Sequence, residues 1–416
     1  MHRLLVRPPT RSFAKRFITT ATGRKLHPEK GDKVVVAMSG GVDSSVTAKL
    51  MVDQGYDVTG LFMRNWDARD ESGTDTGCEW EKDWEDVRLV SKNLGIPCRM
   101  VDLTKEYWNN VFQPSLRVWE AGDTPNPDVW CNREVKFGAL MNHLANDGEW
   151  LATGHYARKG WKTPPGSSMP RPQLLRSLDP TKDQNYYLSA IPEEGLERAL
   201  FPLGELTKAE VRKIAESAGL PTAKRRESMG ICFVGQRRRF NDFLVNYLKP
   251  KPGPICDLET GRIIGTHDGL WSYTIGQRIG LSGRMEREFV AAKGKAQNAI
   301  YVVNGSENPH LYKLNLTCKD WKWIWADSAP PEIDTRMGFN CLLQFRHRMD
   351  PVPCTVKRRH VTHIEIYFSE PQKAAAVGQI AALWDGDWCL GSGTIMRASP
   401  EPPRKLPWKA GQHDRQ

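Results

Sequence analysis

The stretch Val34-Val35-Val36-Ala37-Met38-Ser39-Gly40-Gly41-Val42-Asp43-Ser44-Ser45 constrains this chain more than any other part of it. Five apolar residues, three of them β-branched, read as a strand buried on both faces. Two adjacent glycines then let the backbone turn tightly, and Val42 opens a helix. Backbone N–H groups in such a turn converge on an anion, and the helix N-terminus adds a favourable field. Ser39, Ser44 and Ser45 add hydroxyl donors. No Gly-Lys-Ser/Thr ending is present, which argues against a Walker A loop. No G-x-G-x-x-G is present either, which argues against a dinucleotide fold.

The pattern that follows alternates strands and helices. Strands are expected at Lys33–Met38, Asp57–Met63, Pro97–Asp102 and Trp150–Thr153, with helices at Val42–Gln54, Asp83–Leu94, about Tyr107–Trp119 and about Asn132–Leu144. This is the order of an α/β, doubly wound parallel sheet whose ligands gather at the carboxyl ends of the strands. Gly160–Pro172, rich in Pro, Gly and Ser, reads as a surface insertion rather than core. Helical spacing at Lys208–Ala218 and Phe240–Tyr247 predicts a small helical unit over roughly Glu193–Gly265. From Gly269 onward the signals become short strands, including Ala299–Asn304, Gly338–Phe345, His363–Phe368 and Gln379–Trp384, which predict a small C-terminal β-barrel. The expected division is therefore a leader over 1–28, a nucleotide-binding catalytic unit over 29–192, a middle unit over 193–268, a barrel over 269–398 and a tail over 399–416.

A chain of 416 residues is long enough for two or three such units, and no apolar run is long enough to span a bilayer. Net charge is +10, of which residues 1–28 contribute seven through Arg3, Arg7, Arg11, Lys15, Arg16, Arg24 and Lys25, with no acid before Glu29. An Arg-rich, acid-free leader reads as a mitochondrial presequence, the alternative being a basic arm for RNA. The expected location is thus the mitochondrial matrix. Beyond the leader, basic character is local: Lys224-Arg225-Arg226, Arg237-Arg238-Arg239, Arg346-His347-Arg348 and Lys357-Arg358-Arg359-His360.

The nucleotide loop resembles the PP-loop of ATP pyrophosphatases, a group that includes small-molecule ligases as well as tRNA-sulfurating enzymes. Two cysteines bear on that choice. In Thr124-Pro125-Asn126-Pro127-Asp128-Val129-Trp130-Cys131-Asn132 two prolines stiffen the loop, and Cys131 lies near a helix start, where a thiol is more readily ionised. Cys131 is a candidate nucleophile and Asp128 a candidate acid/base group. Cys232, in Gly230-Ile231-Cys232-Phe233-Val234-Gly235, has basic flanks that favour a thiolate or persulfide, although its apolar neighbours equally suit a buried strand cysteine. The nine cysteines contain no C-x-x-C pair, which disfavours structural zinc; no metal ligands are assigned.

Taken in order, Ser39–Ser45, Asn65-Trp66, Thr124–Asn132, Ala152-Thr153-Gly154-His155-Tyr156-Ala157, Lys182-Asp183-Gln184, Gly230–Gly235 and Arg346-His347-Arg348 resemble the tRNA-specific 2-thiouridylase family. The resemblance covers about Lys33 to Gly393. It implies ATP at Ala37, Met38, Ser39, Gly40, Gly41, Val42, Asp43 and Ser44, with Met63 and Gly154. The flipped target uridine would meet Asn126, Pro127 and Asp128. His155, Lys182, Asp183, Gln184, Arg346, His347 and Gln379 match positions at the tRNA. Cys232 would carry a persulfide, Cys131 would complete the transfer, and Asp128 would move protons. ATP with magnesium, a persulfide donor such as a cysteine-desulfurase relay, and the tRNAs for Lys, Glu and Gln are the implied cofactors and partners, with no membrane. Glu227-Ser228-Met229-Gly230 departs from the Asp-Ser-Thr-Gly common in relatives. An argininosuccinate-synthetase-like ligase would need no paired thiols, and a catalytically silent tRNA-binding protein would not need Cys131, Cys232 and Asp128 together.

Overall fold

Strand β1, Lys33–Met38, is apolar on both sides because both of its faces are covered, with Val34 and Val36 packed one way and Val35 the other. In the computed structural model, which describes residues 20, 23–66, 79–144, 149–226, 240–280 and 287–400, it is the central strand of a parallel sheet. The chain continues through α1 (Val42–Asp53), β2 (Asp57–Arg64), α2 (Glu79–Leu94) and β3 (Cys98–Asp102). A helical rod, α3, follows in three abutting pieces, Thr104–Tyr107, the π-wound Trp108–Phe112 and Gln113–Glu120. The next rod, α4, is built the same way from Pro127–Trp130, the π-wound Cys131–Ala139 and Leu140–His143, and leads to β4, Trp150–Thr153.

Expected and observed strand positions in this unit agree to within about a residue, since continuous β-branched runs bounded by turns have few other options. The sheet order β3-β2-β1-β4 reverses direction at β1, leaving a crevice beyond the carboxyl ends of β1 and β4. Helices cover both faces, so the doubly wound reading holds.

Gly160–Pro172 behaves differently from its composition. Its flanks form β5 (Arg158–Lys162) and β6 (Arg171–Leu175), a hairpin whose tip alone is exposed. Leu174 is fully buried, and β6 pairs with a strand of the C-terminal sheet at Leu174 and Leu175. Pro and Gly in the tip obscured a strand signal carried by only a few alternating residues on either side.

The region expected as a small helical unit is also built otherwise. After α5 (Asn185–Leu188) and α6 (Glu193–Arg198), strand β7 (Ala199–Leu200) pairs with β4 in the first sheet. Helix α7, Lys208–Ser217, starts with a capping box between Thr207 and Glu210 and packs on α1. Only the short α8, Phe240–Leu244, precedes a second sheet of β8 (Gly253–Asp257), β9 (Ile263–His267), β10 (Arg278–Ile279), β11 (Glu288–Gly294) and β12 (Ala299–Asn304). The strands between 278 and 304 belong to this middle sheet, so the architecture changes after Asn304 rather than at 269.

The C-terminal strands are β13 (Tyr312–Trp323), β14 (Phe339–Gln344), β15 (Val352–His360), β16 (His363–Lys373), β17 (Ile380–Asp385) and β18 (Trp388–Ser399). Their order, β13-β16-β15-β14-β17-β18, closes through β13–β18 pairing into a six-stranded barrel around Leu316, Phe345, Ile366 and Leu383. Closure removes the edge strands.

Candidate active site

At the carboxyl end of β1 the chain turns through Gly40, whose φ of 74° is open to glycine without steric cost. The loop is held from within. Ser44 Oγ and Ser45 Oγ donate to the Gly41 carbonyl at 3.1 and 2.8 Å, and Ser39 N–H donates to Ser44 Oγ at 3.2 Å. Thr222 Oγ1 locks Ser45 from behind at 2.8 Å. Two of the three hydroxyls expected to face a phosphate thus shape the loop, while Ser39 is exposed. Gly154, just past β4, lies against the first turn of α1: a Cβ there would stand 3.0 Å from Ser44 N and 3.1 Å from the Asp43 carbonyl carbon. Met63 lies beside Phe62, which is in register with Met38, so the residues assigned to ATP from β1, β2 and β4 line one edge of the sheet.

Three residues not assigned to the nucleotide from the sequence complete this edge. Lys208 Nζ reaches both Asp43 carboxylate oxygens at 2.6 and 2.8 Å, and Tyr156 OH donates to the same carboxylate at 2.9 Å. Arg225 donates to the Gly40 carbonyl at 2.7 Å and pairs with Asp83 and Asp86 on α2. The middle of the Lys224-Arg225-Arg226 cluster therefore faces the nucleotide loop. Lys208 sits at the first position of a capped helix, a pattern that announces a helix start but no function.

The Thr124–Asn132 segment is a loop passing straight into α4. Asn126 is the N-cap, its Oδ1 accepting from Val129 N at 3.3 Å, so the helix starts at Pro127 and Cys131 lies one turn inside it. The cap is fixed by the barrel. Asn126 Nδ2 donates to Gln379 Oε1 at 3.3 Å and to Tyr186 OH at 3.5 Å; Gln379 Nε2 donates to the Thr124 and Pro125 carbonyls at 3.1 and 2.9 Å. Tyr186 OH donates to the Ile380 carbonyl at 2.9 Å. Gln379, matched to a tRNA contact, here spends its amide on the loop.

Asp128 and Cys131, three residues apart, share a helix face. Cys131 is 3% exposed and begins the π-wound part of α4. Such windings recur at functional sites. Burial raises the Asp128 carboxyl above the ordinary carboxylate range, with the Lys136 ammonium working against it. His155 is held neutral, well below the usual imidazole range, by burial and then by the same lysine. Its Nδ1 is 2.8 Å from Thr153 Oγ1, and Phe137 and Phe201 flank its ring. Lys136 thus acts on both Asp128 and His155, although its sequence context gave no sign of it.

The remaining assigned residues lie toward the barrel. Asp183 organises its own loop, accepting from Ser177 N at 2.8 Å, Asn185 N at 3.1 Å and Asn185 Nδ2 at 3.0 Å, with Lys182 beside it; Gln184 Oε1 accepts from Tyr156 N at 3.1 Å. Arg346 donates to the Lys373 carbonyl at 2.8 Å. The His347 ring lies 4.5 Å from Tyr187, whose hydroxyl is pushed up to about 12 by burial and then by the Asp128 charge. The Arg346-His347 corner of the barrel thereby meets the surroundings of Asp128. Cys232, Glu227–Gly230 and Arg237–Arg239 lie outside the described residues.

Three family models match in succession: a tRNA methyl transferase HUP domain over residues 32–236, a tRNA methyl transferase PRC-barrel domain over 241–304 and an aminomethyltransferase beta-barrel domain over 313–395. A solved NMN synthetase from Francisella tularensis covers 52% of this chain and 73% of its own at 15% identity, but its TM-score of 0.31 gives the likeness no weight. The tRNA-specific 2-thiouridylase MnmA of Halalkalibacterium halodurans is 47% identical over 367 residues, covering 87% of this chain and 94% of the relative. Those of Alkaliphilus oremlandii and Cupriavidus necator are 44% and 45% identical, covering 88% of this chain and 97% and 99% of theirs. Identity at that level, sustained across all three sheets and nearly the whole of each relative, makes this chain a member of the tRNA-specific 2-thiouridylase family.

Proposed function

We propose that this chain is an ATP-dependent tRNA sulfurtransferase that converts the wobble uridine of mitochondrial tRNAs to 2-thiouridine. The observation that carries the reading is the placement of Asp128 and Cys131 on one helical turn, under a cap fixed by the barrel, in the same unit as a phosphate-cradling loop.

The chemistry follows from these groups. Backbone N–H groups of Gly40–Ser44 and the N-terminus of α1 hold the triphosphate while the uridine O2 attacks its α-phosphorus and pyrophosphate leaves. Among the described residues no cluster of three metal-ligating side chains exists. Magnesium is expected to arrive with ATP and to contribute charge neutralisation, while the Asp43 carboxylate is already engaged by Lys208 and Tyr156. Adenylation turns the uridine oxygen into a leaving group. The terminal sulfur of a Cys232 persulfide then forms the C2–S bond and the C2–O bond to AMP breaks. Cys131 thiolate takes the remaining sulfur of Cys232 as a disulfide, with sulfur passing either directly or as sulfide, and an external reductant returns two electrons. Asp128, its carboxyl raised toward neutrality, gives and accepts the proton.

Matrix location draws support from the acid-free leader, and the tRNAs for Lys, Glu and Gln and a cysteine-desulfurase relay are the proposed partners. No helix among the described residues is long and apolar enough to cross a membrane. The test is reconstitution with ATP, magnesium, a persulfide source and mitochondrial tRNA, read by nucleoside mass spectrometry. 2-Thiouridine at the wobble position is expected, and its loss in Cys131→Ser and in Cys232→Ser. Robust thiolation by either variant would defeat the two-thiol scheme, and absence of thiouridine with the parent protein would favour a small-molecule ligase.

A further inference from the structure

The loop that leads to Asp128 and Cys131 is gripped from two sides. On one side is the barrel, through Gln379 and through the Val377 carbonyl, which accepts from Thr124 N at 3.0 Å. On the other is the middle sheet. Lys293, on β11, donates from Nζ to the Gly122 carbonyl at 2.8 Å; Lys295 Nζ meets Asp123 at 2.6 Å; and Thr274 Oγ1 lies 3.3 Å from Thr124 Oγ1. Leu270 packs against Gly122.

Lys293 is the costly member of this set. Burial lowers its ammonium to about 8, with Asp123 opposing that and Lys295 adding to it. An apolar residue of similar length would avoid the desolvation, so the cation does not serve stability well. What it supplies is direction. Gly122 ends the turn that follows α3, its N–H bonded to the Trp119 carbonyl at 2.8 Å, and a cation suits the negative end of a helix. The Gly122 carbonyl is four residues before the Asn126 cap, and no helix or strand intervenes to absorb a change in its position.

We propose that Lys293 is a positioning residue for the thiolation reaction: from the middle sheet it fixes the Gly122 carbonyl, and through it the stance of Asn126, Asp128 and Cys131 against the barrel. This rests on the function assigned above. It makes the middle sheet part of the catalytic apparatus without contact with the reacting atoms.

The experiment uses the full-length protein, with Lys293→Met and Lys293→Arg compared with the parent by single-turnover thiolation, thermal unfolding and amide hydrogen exchange. For Lys293→Met the expected result is a fall in kcat of about 10- to 100-fold, the scale of a small misplacement of reacting groups. KM for ATP should stay within about twofold, and exchange should accelerate in peptides spanning 122–131 but not in those spanning 37–45. Lys293→Arg should recover most of the rate. Unchanged kcat and exchange in Lys293→Met would overturn the proposal. So would uniformly faster exchange and a lowered unfolding midpoint that Arg does not restore, since these mark a merely structural contact. Should the parent form no thiouridine, the function assigned above is at fault, and the exchange pattern alone then decides whether Lys293 holds the loop.

Discussion

Lys208 Nζ stands 2.6 Å from Asp43 Oδ1, tying the first position of α7 to the acid of the nucleotide loop. The lysine side chain is only 12% exposed, so the pair is shielded from most of the solvent. Lys208→Ala leaves Asp43 with the Tyr156 hydroxyl alone and removes the ion pair between α7 and α1, whose apolar packing through Val211 and Ala215 remains. Loss of one partner of such a pair costs about 1–3 kcal/mol. The expected outcome is a rise of about tenfold in the Kd for ATP, measured by calorimetry, with tRNA binding unchanged.

Asp128 sets activity against stability. Its raised carboxyl binds a proton in the folded state over a range where the unfolded chain has released it. Since the folded state then holds more protons, stability falls as pH rises from the ordinary aspartate value through the raised one. Asp128→Asn removes that loss. The variant should unfold at a higher temperature than the parent at pH 7, the difference vanishing near pH 3, while kcat falls by about 100-fold or more. A lower melting temperature at pH 7 would show that Asp128 makes a compensating contact.

Gln379 is tested by two substitutions that fail differently. Alanine leaves the Thr124 and Pro125 carbonyls and the Asn126 amide without their partner, whereas glutamate, having no donor when ionised, also points charge at two carbonyls. Gln379→Glu should therefore be at least as slow as Gln379→Ala, each by about 10- to 100-fold in kcat. Equal tRNA Kd values in filter binding would show that the amide serves the loop first.

The contact of His347 with the Tyr187 ring, tilted by 33°, gives the barrel a route to the surroundings of Asp128. His347 is kept neutral by burial and then by Arg348, and its Nδ1 has no partner among the described residues. That nitrogen is buried, so a base or ribose hydroxyl would meet it only through a shift of the Arg346-His347 corner on tRNA binding. His347→Phe, which keeps the ring and removes the nitrogen, should weaken tRNA binding by about 3- to 10-fold, the loss of one hydrogen bond. ATP binding should be unaffected.

Local chemistry was legible in the sequence where it was carried by contiguous residues. The β1 loop and the Thr124–Cys131 segment each hold strand, turn and cap signals in one short window, and the parallel sheet followed from them. What escaped was set by distance. Lys208, Arg225 and Lys293 reach their targets across 165, 185 and 171 positions, and each sits in a context ordinary for a surface cation. The β5–β6 hairpin escaped because its partner strand lies more than two hundred residues away, so its few alternating residues could not show what would cover them.

That hairpin leaves its mark on how the molecule must be made. β6 is contributed by the first half of the chain, but its neighbour β18 is the last strand among the described residues, so the first unit emerges from the ribosome with an unsatisfied sheet border at Leu174 and Leu175. Until β18 has been made, that border is open to strangers as well as to its own partner. A version of the chain stopped before Trp388 should therefore be recovered as aggregate or bound to chaperones even though its nucleotide loop is whole.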